Sequence, residues 1–320
     1  MAETNFTGGG KETERIVEPL CSSTVTGGTH DKLIYLAALN VFLSITAFLG
    51  NTLILVALRK ESSLHLPSKL LLRCLAVTDL CVGLIAEPLL VVYWTSLVQE
   101  YWDFCRYVFY ISYISGFILS SVSLLVLTAI SVDRLLALLS GLRYRQVVTL
   151  KRLYVIVVTF WIVSIVVSMS FLVNRLINSW YTNTVIPLSL VISIICYTKI
   201  FLGLRYQQKR QVHVVQDLVV RENATAQITQ LNTARYRKAV SCALWLQLVL
   251  VACYLPYSVV SFLFSDHDNL SPFSFLAWQL ATTLIYLNSS LNPFLYCWKR
   301  AELRQAVKRT IRQVICCVPS

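Results

Sequence analysis

Long apolar runs alternate with short polar links along most of this chain. Seven runs stand out: Leu33–Leu58, Ser68–Trp94, Phe104–Leu138, Leu153–Val173, Asn183–Leu204, Ala239–Phe264 and Phe273–Trp298. A helix needs roughly 20 predominantly apolar residues to cross a bilayer, and these runs reach that length. The pattern predicts an all-α fold, a polytopic seven-transmembrane helix bundle. After the seventh run, Leu303, Ala306, Val307 and Ile311 share one helical face, with Lys and Arg around them. That predicts a short amphipathic membrane-surface helix. The chain then divides into a polar tail over 1–32, a membrane domain over 33–298, and the amphipathic helix and tail over 299–320.

Prolines punctuate the runs. Pro88 is expected to bend the second, Pro187 to disturb the outer end of the fifth, and Pro256 to break the sixth. The polar sequence Asn288-Ser289-Ser290-Leu291-Asn292-Pro293 is expected to interrupt the seventh. Residues 174–182 read as a very short outer link, with Trp180 and Tyr181 as interface anchors. The long polar link 205–238 is expected either to extend the flanking helices or to remain mobile.

Composition supports the membrane reading. Only 14% of the residues are charged, 56% are hydrophobic, and the mean hydropathy is +0.64; soluble domains carry about 25% charged residues. The net charge of +12 resides largely in the links, which points to topology and anionic lipid rather than nucleic acid. Residues 1–32 hold three basic and five acidic residues, the link 143–152 four basic and none acidic, and the segment 299–312 six against one. Excess Lys and Arg mark the cytoplasmic side, so the N-terminus is expected outside and the C-terminus inside, in the plasma membrane. Asn5 then stands in an extracellular glycosylation sequon, and Cys316 and Cys317 are candidate palmitoylation sites.

The runs also carry polar residues that packing alone does not need. Asn51, Asp79, Ser123, Asn288, Ser289 and Asn292 fall on runs one, two, three and seven. In one bundle they lie at similar depth, and their hard oxygens suit a small cation such as Na+. The plainer alternative is a water-filled network without an ion. No metalloprotease helix, phosphate loop or cysteine metal cluster is present, so neither catalysis nor an organic cofactor is expected. Glu87 is either a rim carboxylate or a ligand contact.

These residues together resemble the rhodopsin-like G-protein-coupled receptors over nearly all of residues 33–312. The resemblance rests on Gly50-Asn51, on Leu75-Ala76-Val77-Thr78-Asp79, on Trp102 and Phe104, and on Asp133-Arg134-Leu135 where the family has Asp-Arg-Tyr. Trp161, Cys253-Tyr254-Leu255-Pro256 and Asn292-Pro293-Phe294-Leu295-Tyr296 complete it. It implies a receptor that binds an extracellular small-molecule or peptide ligand and acts on a heterotrimeric G protein. It implies roles for Asp133, Arg134, Tyr197 and Tyr296 in coupling and activation, and a sodium site at Asp79, Ser123, Asn288, Ser289 and Asn292. The pocket residues it implies are Glu87, Tyr113, Gly116, Phe117, Tyr254, Tyr257, Gln279 and Tyr286. Glu87, the only acid among them, suits a cationic or amide-bearing ligand.

Departures from the family are as informative. Phe109 stands where the family has the conserved cysteine of span three, and the link 174–182 has no cysteine. The usual disulfide cannot form, and a Cys21–Cys105 bridge tying the tail over the pocket is the alternative. Gly116 replaces the aspartate of monoamine receptors, and Tyr286 the retinal lysine of opsins. Tyr236 replaces an acid that often pairs with the span-three arginine, which predicts appreciable basal activity. Pro187 lies ten residues before Tyr197 where eight is usual, so one of the two is out of register. The short cysteine-free outer link looks like the melanocortin, cannabinoid, lysophospholipid and adenosine receptor grouping. Two competing functions stay open: a lipid or ion translocating protein, and a non-signalling heteromer partner.

Overall fold

The structure is a computed structural model that describes residues 17–23, 27–60, 66–140, 144–219, 245, 247–264, 271–299, 304, 305 and 307–309. Helix α1 is His30–Lys60, and α2 is Leu66–Cys81. A π-helical turn, Val82–Ala86, joins α2 to α3, Glu87–Val98. Then come α4 (Trp102–Ser140), the short α5 (Tyr144–Val147), α6 (Leu150–Ser170) and α7 (Arg175–Val219). Helix α8 is Gln247–Leu263 and α9 is Pro272–Lys299. Helix α4 is the axis of the bundle, packed on α2, α3, α6 and α7, while α1 is clasped by α2, α3 and α9.

The stretches His30–Arg59, Leu66–Val98, Trp102–Ser140, Leu150–Ser170 and Arg175–Tyr206 are each long and apolar enough to cross a membrane. Large apolar side chains stay exposed around the outside: Tyr35, Phe42 and Leu49 on α1, Tyr154, Val155 and Val166 on α6, Leu188 and Val191 on α7. Patches of this extent do not face water in soluble monomers. The chain is a multi-pass helical membrane protein.

The helix ends correct several expectations. Helix α7 begins at Arg175, not at Asn183, so Asn178 and Tyr181 belong to a helix wall and not to an outer link. It runs through Pro187 unbroken and on to Val219, well into the long polar link. Helices α8 and α9 likewise continue through Pro256 and Pro293. For Pro293 the physical reason is visible. Proline cannot donate to the carbonyl four residues back, which is that of Ser289, and Asn51 Nδ2 donates to it instead at 3.1 Å. Gly50 lets α1 come this close, since a Cβ there would lie 2.8 Å from Pro293 Cγ.

Before Pro88 the chain relieves crowding with the π turn rather than by a kink alone: the Glu87 N–H bonds to the Val82 carbonyl, five residues back. An extra residue in one turn re-aims every side chain beyond it. Gly83 lets α1 press on this turn, with Ser44 Oγ donating to its carbonyl at 2.6 Å.

Candidate functional site

The middle of the bundle is built around Asp79, fully buried on α2. Ser123 Oγ from α4 (3.1 Å) and Ser289 Oγ from α9 (2.8 Å) donate to Oδ1, and Asn292 Nδ2 donates to Oδ2 at 2.8 Å. Four of the five residues expected to share this site are therefore together. Asn288 is not bonded to Asp79. It lines a small cavity with Ser131, Tyr197, Leu250 and Asn292, so this cavity adjoins the Asp79 network through Asn292, and the Asn288 amide nitrogen has no hydrogen-bond partner.

At one end of the bundle Asp133 is buried, and two donors from other elements hold its carboxylate. Ser68 Oγ on α2 donates to Oδ2 at 2.9 Å, and the Tyr144 hydroxyl on α5 donates to Oδ1. Arg134 Nη2 lies 3.9 Å from Oδ2. Partial burial, and then the bond to the Asp133 carboxylate, push the Tyr144 phenol above its ordinary range. Tyr197 is buried nearby against Leu135, Leu138 and Ile200. Tyr296 lies on α9, but its side chain is outside the described residues, as are Tyr236, Asn5, Cys316 and Cys317.

At the opposite end is a cavity of about 170 Å³. Tyr113, Gly116, Phe117, Tyr254, Tyr257, Gln279 and Tyr286, all named as pocket candidates by the resemblance, line it. Glu87 does not. It follows the π turn and is fully buried, with neither carboxylate oxygen hydrogen-bonded. The wall is largely aromatic: the Tyr113 and Phe171 rings are 4.2 Å apart, Phe117 and Tyr181 5.7 Å, and Tyr257 and Trp278 6.1 Å. Gln279 is fixed by the Trp94 indole N–H at 3.0 Å, and the hydroxyls of Ser121 and Tyr181 meet at 2.7 Å. Tyr181 thus faces inward rather than anchoring an interface.

Cys21 and Cys105 are joined by a disulfide, with Cα atoms 5.9 Å apart. The bridged segment is also held by the Tyr93 hydroxyl on the Leu20 carbonyl (3.3 Å) and by Arg106 beside Glu18 (3.6 Å). Leu20 itself lines the cavity. Phe109 takes the place of the family's cysteine and packs on Tyr93, ring to ring at 5.4 Å.

Sequence reasoning missed Arg175, Asn178, Tyr181 and Trp278 as lining residues. The signal available was periodic: Arg175, Asn178 and Thr182 recur at helical spacing ahead of the apolar run.

A helical membrane bundle with an aromatic cavity at one end, a buried acid at mid-depth and a held Asp-Arg pair at the other has the makings of a receptor. The chain belongs to the family described as "7 transmembrane receptor (rhodopsin family)", which matches residues 50–184 and 174–296. It is similar to "Rhodopsin, GQ-coupled" of Mizuhopecten yessoensis, at 23% identity over 312 residues, 87% of this chain and 60% of the relative. The chain thus spans about 60% of the length of that curated relative. Rhodopsin-family members are receptors and not enzymes. Among the described residues no group of three or more His, Cys, Asp or Glu is placed to hold a metal ion.

Proposed function

We propose that this chain is a G-protein-coupled receptor of the plasma membrane. It crosses seven times, with the Cys21–Cys105 end outside and the Arg134 end toward the cytoplasm. The observation that carries the reading is the Asp133-Arg134 pair. A carboxylate held by Ser68 and Tyr144 from two other elements lies 3.9 Å from its neighbouring arginine, and a rearrangement of those elements would change that pairing. Two packings of similar energy, biased by an outer ligand, are the physical content of such a receptor. Exposed Arg304, Lys308 and Arg309 beside buried Val307 support a surface helix after the last span. The link between α6 and α7, residues 171–174, is short and has no cysteine, which supports placement near the melanocortin, cannabinoid, lysophospholipid and adenosine receptors.

Light sensing is not carried over from the relative, because Tyr286 offers no amine for a Schiff base. Sodium is proposed at Asp79. The Ser123 and Ser289 hydroxyls direct their protons at the carboxylate, which leaves their oxygen lone pairs, with the carboxylate, as a hard donor set for a small cation.

Basal activation of each G-protein class in cells expressing the chain tests the reading. The Gq pathway comes first, because the relative's name carries that coupling. At least one class is expected above mock-transfected cells; none above mock, with the chain at the surface, counts against it. Glycosylation of Asn5 reads the orientation independently.

A further inference from the structure

The cavity has an unusual balance of charge. Among the described residues that line it, Arg175 is the only one that is formally charged, and no acid joins it. Its Nη1 is shielded from solvent and has no hydrogen-bond partner. One helical turn further along α7, Asn178 is buried, with its carbonyl oxygen taken by the Tyr113 hydroxyl at 2.6 Å. Its amide nitrogen also has no partner. Two unmatched donors, one of them cationic, therefore sit three residues apart on one wall of an aromatic cavity. Buried donors without acceptors are costly, and a charged one more so.

We propose that the pocket takes an acidic amphiphile, whose carboxylate or phosphate head accepts hydrogen bonds from the Arg175 guanidinium and the Asn178 amide. Its apolar body lies among Tyr113, Phe117, Tyr257 and Trp278. Guanidinium presents a planar fork that matches either head group, and such charge-assisted bonds are about twice as strong as neutral ones. A cationic ligand would bring a second positive charge to Arg175 with no lining acid to meet it, since Glu87 is not among the lining residues. This reverses the preference that Glu87 suggests in the sequence. The proposal rests on the receptor reading, and names the chemistry of that receptor's ligand.

The test is binding to the full purified chain in phosphatidylcholine nanodiscs, read by thermal stabilisation. The four matched probes are 4-phenylbutyrate, 4-phenylbutyl phosphate, 4-phenylbutyramide and 4-phenylbutylamine. The two anions are expected to bind roughly tenfold or more tightly than the amide and the amine, the scale of one charge-assisted contact. The ratio between the anions tells a carboxylic acid from a phosphate ligand. Arg175→Gln should erase the preference for anions and Arg175→Lys keep part of it. If Arg175→Gln does not fold, Asn178→Ala should still narrow the preference several-fold. Equal binding of all four, tighter binding of the amine, no binding of any, or a preference unchanged in the variants would overturn the proposal. No G protein is present, so failure here is distinct from failure to couple.

Discussion

The Tyr286 hydroxyl occupies the space in which a side chain on residue 116 would begin, so a Cβ at Gly116 would collide with it. The two positions that set this chain apart from amine receptors and opsins are thus one packing arrangement between α4 and α9. Glycine is present because tyrosine reaches across. Gly116→Ala should destabilise the protein by about 1–3 kcal/mol, the usual cost of overpacking. Tyr286→Phe in the same chain should recover part of that loss. A double-mutant cycle by thermal unfolding measures the coupling; additive effects would show that the ring moves aside freely.

Asn51 is the second such relationship. Its amide supplies Ser289 with the bond that Pro293 cannot make, and it also donates to the Ala47 carbonyl at 2.9 Å. Asn51→Leu should cost about 1–3 kcal/mol, the penalty of leaving a buried acceptor unpaired. Introducing Pro293→Ala alongside restores a backbone N–H at that position, so the loss from Asn51→Leu should be smaller in that background. Equal losses in both backgrounds would sink the compensation.

Sodium at Asp79 makes a separate prediction. Replacing N-methylglucamine chloride by sodium chloride at constant ionic strength should raise the melting temperature of the wild type, because a ligand that binds only the folded state stabilises it. Asp79→Asn should abolish the sodium dependence. A melting curve of the wild type that ignores the cation would remove the ion from the account and leave a hydrogen-bonded network.

The parts of the fold legible in the sequence were those written in apolar length and in polar exceptions to it. Asp79, Ser123, Ser289 and Asn292 stand out because an acid, hydroxyls and an amide are costly in hydrocarbon, and they meet. The start of α7 was easily misread, because Arg175, Asn178 and Thr182 are polar like loop residues and only their helical spacing marks them as one face. The π turn at Val82–Ala86, which has no residue signature and ends at Glu87, was not legible. Pro187 and Tyr197 share one unbroken helix. Their unusual spacing therefore creates no break, and Tyr197 is buried in a small cluster with Ile200, on which Leu135 and Leu138 pack.

Under the proposed function, the Asp133-Arg134 pair carries the signal to a G protein. Nucleotide exchange on a panel of purified heterotrimers, driven by the full chain in nanodiscs, tests it most directly, with Arg134→Gln measured beside the wild type at matched folded amounts. The wild type should accelerate exchange on at least one heterotrimer, and Arg134→Gln should lose most of that acceleration while its melting temperature holds. Equal acceleration by both proteins would contradict the account.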